Sequence, residues 1–194
     1  MKLLIICMIG VIMACSCSTK KKAPVDSDIV FKQPEKTNSS KNFFPVTNFI
    51  KGQIYTILNG NVNPLLITEK NGKVDSAWLK MEEVETILKP FLTPVVDTQN
   101  LKHLYTESSF LDESINAFTF SYDASSVLPD SISLRHWDVY VNPESNEVQR
   151  IYLVKSAPDG NQLLLTWQAD KKWCSIILTN KTQVLETKKL TWTF

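Results

Sequence analysis

Glycine is scarce in this chain: there are five in 194 residues, and one of them, Gly10, lies in the opening apolar run. Loops that cradle phosphate need several glycines close together, so that class of nucleotide site is excluded. Histidine is scarcer still, at two residues. The four cysteines, Cys7, Cys15, Cys17 and Cys174, form no CxxC pair and no Cys/His zinc spacing. Ser125-Ser126 lacks the Gly-x-Ser-x-Gly setting of a strained nucleophile. An excess of charge is missing too, since 21 basic and 20 acidic residues leave a formal +1. Nucleic-acid-binding domains are usually basic and patched, so no nucleic-acid partner is expected. Nor does any apolar run reach the roughly twenty residues that a spanning helix needs.

The longest apolar run opens the chain. Met1-Lys2 is a short basic start, and Leu3 to Ala14 is apolar. A basic start followed by a short apolar segment reads as an export signal. Lys2 is the only charged residue of this segment, so its removal leaves the rest of the chain formally neutral.

Ser16 to Lys41 is polar, contains two prolines and has no period, as a flexible tether would. Ile29-Val30-Phe31 is a small apolar island within it. Lys20-Lys21-Lys22 would lie close to anionic headgroups if the chain were anchored just before them, or would simply be solvated.

Beyond the tether, residues 42–194 are expected to form a single domain. Val46, Phe49, Ile50, Ile54, Ile57 and Leu58 recur at helical spacing, with Pro45 at the start and Asn59-Gly60 at the end. Asn71-Gly72 inside "LLITEKNGKVDSAWL" predicts a two-residue hairpin turn. "MEEVETILKPFL" predicts a second, short helix, acidic in its first turn and limited at its far end by Pro90 and Pro94. From Leu104 onward the period changes to two. "AFTFSY", "HWDVYV", "VQRIYLVKS", "NQLLLTWQ", "WCSIILT" and "KLTWTF" are separated by short turn-like segments. The expected fold is therefore α+β: an antiparallel meander of about six strands, an N-terminal hairpin, and two helices packed on the sheet.

Several strands carry apolar residues on both sides, for example Leu164 between Leu163 and Leu165, and Ile177 between Ile176 and Leu178. A sheet with one face in water alternates more cleanly than this. Either the tether or the first hairpin covers part of the second face, or the sheet curls round an apolar cavity.

Few residues suggest chemistry. His136 and Asp138, two apart on a strand, project from one face, as a base and its orienter or two metal ligands would. No third ligand is apparent, and a solvated strand face explains them better. His103 reads as a loop residue. Glu107, Asp112 and Glu113 could supply paired carboxylates. Five tryptophans, Trp78, Trp137, Trp167, Trp173 and Trp192, suit a core, a glycan platform or an apolar pocket. Cys174 is expected to be a buried free thiol, with pairing to Cys17 left open. No catalytic residue, metal or cofactor is expected.

Ile12-Met13-Ala14-Cys15 resembles the bacterial lipobox, in which an aliphatic, a variable and a small residue precede a cysteine. The resemblance implies that residues 1–14 are removed as a lipoprotein signal peptide and that Cys15 receives the lipid. Cys17 is the poorer acceptor, because Ala14 would stand at its aliphatic position. Ser16, which is not an Asp, implies transfer to the outer membrane, and the lysines that follow imply a periplasmic orientation. "FFPVTNFIKGQI", "DSAWL" and "HWDVYVNPESNEVQRIYLVKS" resemble a group of uncharacterised Bacteroidota lipoproteins, which implies no activity. The general plan is similar to small envelope lipoproteins that scaffold assembly, and to lipoprotein-carrying half-barrels. The expectation is a non-catalytic binding or scaffolding module held at the membrane, with an envelope protein as partner. The alternative is a carrier or sensor of an apolar ligand or glycan.

Overall fold

The structure is a computed structural model and describes residues 43–60, 63–96, 101 and 103–192. All of these fall in one compact unit, Ser40–Phe194. Cys15, Cys17 and the tether lie outside the described residues.

The first helix, α1 (Val46–Leu58), buries Val46, Ile50, Ile54 and Ile57. This is the stripe expected from spacings of three and four. The hairpin follows as β1 (Leu65–Lys70) and β2 (Lys73–Trp78). Its turn places Asn71 and Gly72 at positive φ, 53° and 71°, the backbone that Asn-Gly tolerates best. The second helix, α2 (Met81–Leu92), buries Val84, Leu88 and Phe91. Glu83 reaches back to accept a 2.9 Å hydrogen bond from the Lys80 amide, which satisfies one of the open donors at the helix start. Pro90 does not end the helix. It sits inside the last turn, and the chain stays helical to Leu92.

Seven further strands follow among the described residues: β3 (Tyr105–Asp112), β4 (Ala117–Ala124), β5 (Leu134–Val141), β6 (Val148–Ser156), β7 (Gln162–Gln168), β8 (Trp173–Thr179) and β9 (Val184–Thr191). All nine strands form one antiparallel sheet in the order β2-β1-β9-β8-β7-β6-β5-β4-β3. The expected meander of about six strands is an undercount, because β3 pairs along the whole of β4. The hairpin does not fold over the sheet. It extends the sheet, with β1 pairing to β9 from Leu65↔Thr191 to Lys70↔Glu186.

This order puts the sequence neighbours β2 and β3 at opposite edges. The segment carrying α2 has to cross the whole sheet between them, which presses α2 onto one face. Both helices lie on that face. Phe91 of α2 meets Trp167 edge-on at 5.3 Å between ring centroids. Phe43, just before α1, meets Tyr122 and Trp137 at 4.9 and 5.8 Å. Trp137, Val139, Ile151, Leu153, Leu165 and Trp167 are fully buried beneath the helices. Burying side chains of this size stabilises the fold by about 1.5–3 kcal/mol each.

Candidate binding face

Residues opposite each other in register share a face, as do residues two apart along a strand. The registers therefore define the second face as well. Its central row runs Lys189, Ser175, Thr166, Tyr152, Asp138 and Ser121, from β9 to β4. On one side lies the row Trp173, Gln168, Arg150, Tyr140 and Thr119. On the other lie Ile177, Leu164, Val154, His136 and Asp123. Neither helix covers this face among the described residues. It mixes hydroxyls, aromatic rings and half-buried aliphatic side chains.

A polar network occupies one end. His136 Nδ1 stands 2.8 Å from Asp123 Oδ1, and Nε2 stands 3.1 Å from Asp138 Oδ1. The Ser121 hydroxyl donates to Asp138 Oδ1 at 2.5 Å, and the Tyr140 hydroxyl donates to Oδ2 at 3.2 Å. The bond to Asp138 leads in raising the His136 pKa to about 9; burial opposes it and Asp123 adds to it. Burial pushes the Asp138 carboxyl upward, but His136, Ser121 and Tyr140 outweigh it and hold the group below its ordinary value. Below that pH His136 is the imidazolium, with both ring N–H groups donating. In that state it has no lone pair for a proton or a metal.

Two cations lie on aromatic rings of the same face. The Arg150 guanidinium is 3.7 Å from the Tyr140 ring centre, and the Lys189 ammonium is 5.0 Å from that of Trp173. The Thr119 hydroxyl oxygen is buried, with no hydrogen-bond partner among the described residues.

The His136 and Asp138 pairing anticipated from their spacing is present, but the third member is Asp123 from the next strand. Only the β4–β5 register, Asp123↔His136, brings it there. Asp112 and Glu107 do not converge, since they lie on opposite faces of β3. His103 is exposed, and Ser125 shares a 2.9 Å hydroxyl contact with Thr106. The tryptophans divide between roles. Trp137 and Trp167 are core, Trp192 packs on Trp167 at 5.1 Å, and Trp173 and Trp78 belong to the second face. Cys174 is a buried thiol on β8, unpaired among the described residues, and burial pushes its pKa up. No group of three or more His, Cys, Asp or Glu side chains is placed to hold a metal ion among the described residues.

The helical side carries a half-open cleft of about 570 Å³ between α1 and α2, with Ile54, Leu58 and Leu92 among its lining and Lys51, Glu85 and Lys89 around it. Lys155, on the sheet beneath α2, is buried and donates to the carbonyl oxygens of Pro90 and Thr93. Burial pulls its pKa down to about 8. Sequence reasoning missed this lysine: alternation puts it on the face of Leu153, but a charged residue near a strand end gives no local sign that a helix terminus covers it.

Comparison with protein-family models, curated proteins and solved structures finds no match to this chain.

Proposed function

We propose that this chain is a lipoprotein of the cell envelope, anchored through Cys15 to the periplasmic side of the outer membrane, and that it works as a non-catalytic binding and scaffolding module. The observation that carries the reading is the second face of the sheet. It offers aromatic, aliphatic and hydroxyl side chains over nine strands, with no helix on it among the described residues. In the titratable cluster on it both His136 ring nitrogens face carboxylates, and the protonated ring has no lone pair to offer. A general base needs a lone pair within reach of substrate, so the face suits contact rather than catalysis. The lipid would hold the domain at the membrane; one acyl chain anchors only marginally, and two or more anchor stably.

Photo-crosslinking in cells tests this reading. A photoreactive residue replaces Thr166 at the centre of the face, or Tyr55 on α1, in the full-length chain. Protein adducts from position 166 and few from position 55 are expected. Adducts from position 55 alone would overturn the reading.

A second reading, carriage of an apolar ligand, draws on the α1–α2 cleft with its aliphatic lining and lysines. A lipid-sized mass retained by the purified chain, and lost on Ile54→Glu, would favour it.

A further inference from the structure

We propose that the second face of the sheet is covered by a second copy of this chain, sheet against sheet, about a two-fold axis lying along β7. The inference rests on the binding-face reading above and names the partner. It starts from the strand order. With nine strands in the order β2-β1-β9-β8-β7-β6-β5-β4-β3, β7 is the middle one. A two-fold axis along it leaves each cross-strand row in place and exchanges the two sides. Every residue on the face then has a defined opposite number.

The pairs are complementary. On the axis itself, Leu164 meets Leu164 of the second copy. Val154 on β6 meets Ile177 on β8, since both oppose Leu164 in register. Arg150 and Trp173, both opposite Gln168, meet each other. One strand further out, Asp138 on β5 and Lys189 on β9 occupy the same row, each two strands from β7. The Asp123–His136–Asp138 cluster carries a net charge of −1 when His136 is protonated, so Lys189 faces an opposite charge. The arrangement is isologous, as a two-fold interface has to be.

The dimensions agree. Nine strands about 4.8 Å apart by some 20 Å of strand length give a face of on the order of 800 Å², an upper limit on contact because the sheet twists, and comparable to what each partner buries in a standard interface. Packed sheets cross at about 30°, which sets the axis about 15° from the β7 direction and keeps the row-by-row pairing closest near β7. Two strands from the axis, that rotation displaces facing residues by about 5 Å, within reach of a lysine. Three strands from the axis it separates Asp123 from Glu69, which would otherwise face each other.

Native mass spectrometry of the full-length chain released from detergent micelles tests the proposal. The expected result is a species of twice the chain mass. Leu164→Asp, which sets two like charges on the axis, should abolish it, and Tyr55→Glu on α1 should leave it intact. Val154→Glu and Ile177→Lys should each abolish it alone. An equimolar mixture of the two should restore a dimer, because the new carboxylate of one chain then faces the new ammonium of the other. That recovery requires folded chains, so it excludes simple misfolding. A wild-type chain of single mass, a dimer that survives Leu164→Asp, or a mixture that stays monomeric would overturn the proposal. Hetero-adducts from position 166 on a monomeric chain would overturn it and leave the binding-face reading standing.

Discussion

His136 Nε2 stands 3.1 Å from Asp138 Oδ1, two residues further along the same strand. Backbone alternation puts both side chains on one face, and Asp123 closes the other side of the ring at 2.8 Å. The folded pKa of His136 is raised from 6.5 to about 9. A raised histidine contributes stability that is fully present below pH 6.5 and lost as the pH rises toward 9. Unfolding stability should therefore fall between pH 6.5 and about 7, above which Lys155, lowered from 10.5 to about 8, begins to add stability as the pH rises. In His136→Gln the same pH series should be flat. An unchanged slope in that variant would contradict the assignment. Asp138, held below its ordinary value, acts at the other end: its contribution is lost only under acid conditions.

Thr119 buries a hydroxyl oxygen that finds no partner among the described residues. An unmet buried hydroxyl costs about 1–3 kcal/mol, while an apolar group of the same shape costs nothing of this kind. Thr119→Val should raise stability by up to about 1 kcal/mol, read from the midpoint of urea unfolding. A loss of stability would mean that the hydroxyl is satisfied after all.

Lys155 ties β6 to the end of α2 through the Pro90 and Thr93 carbonyls. These lie where a helix leaves its carbonyls open and where a cation is favourable. Lys155→Met keeps the length and apolar stem but leaves the carbonyls unmet. A loss of about 1–3 kcal/mol in unfolding free energy is expected, with amide exchange quickened first in the last turn of α2. A gain in stability would show that the burial cost of the ammonium exceeds the value of its contacts.

Cys15→Ser tests the anchor. Fractionation of cells should find the altered chain unprocessed or released from the outer membrane. If it stayed processed and membrane-bound, the lipid would have to be elsewhere or absent.

What is legible in the sequence follows local physics. The α1 stripe, the Asn71-Gly72 turn and the period-two strands depend on residues close together in the chain. Strand β3 escapes the period-two pattern because its aromatic and aliphatic residues, Phe110 and Leu111, are adjacent rather than alternating, and both stay exposed at the sheet edge. The helix continues past Pro90 because proline there removes only one late hydrogen bond, a cost that the burial of Phe91 offsets. The β1–β9 pairing joins segments more than a hundred residues apart in the chain, and no short-range signal reports it. The same is true of Asp123, whose meeting with His136 depends on inter-strand register. The apolar residues on both sides of β7 and β8 do mark a second face that carries aliphatic side chains, Leu164 and Ile177 among them. The hairpin, however, extends the sheet rather than covering that face.

The most direct test of a working second face is native electrophoresis of envelopes solubilised in mild detergent. It compares the wild-type chain with a face variant, Leu164→Asp with Thr166→Lys, and a helix-side variant, Tyr55→Glu. The wild-type and helix-side chains should migrate in a complex larger than the free chain, and the face variant should collapse to the free chain. A face variant that migrates with the wild type, or a wild-type chain that runs free, would contradict the account.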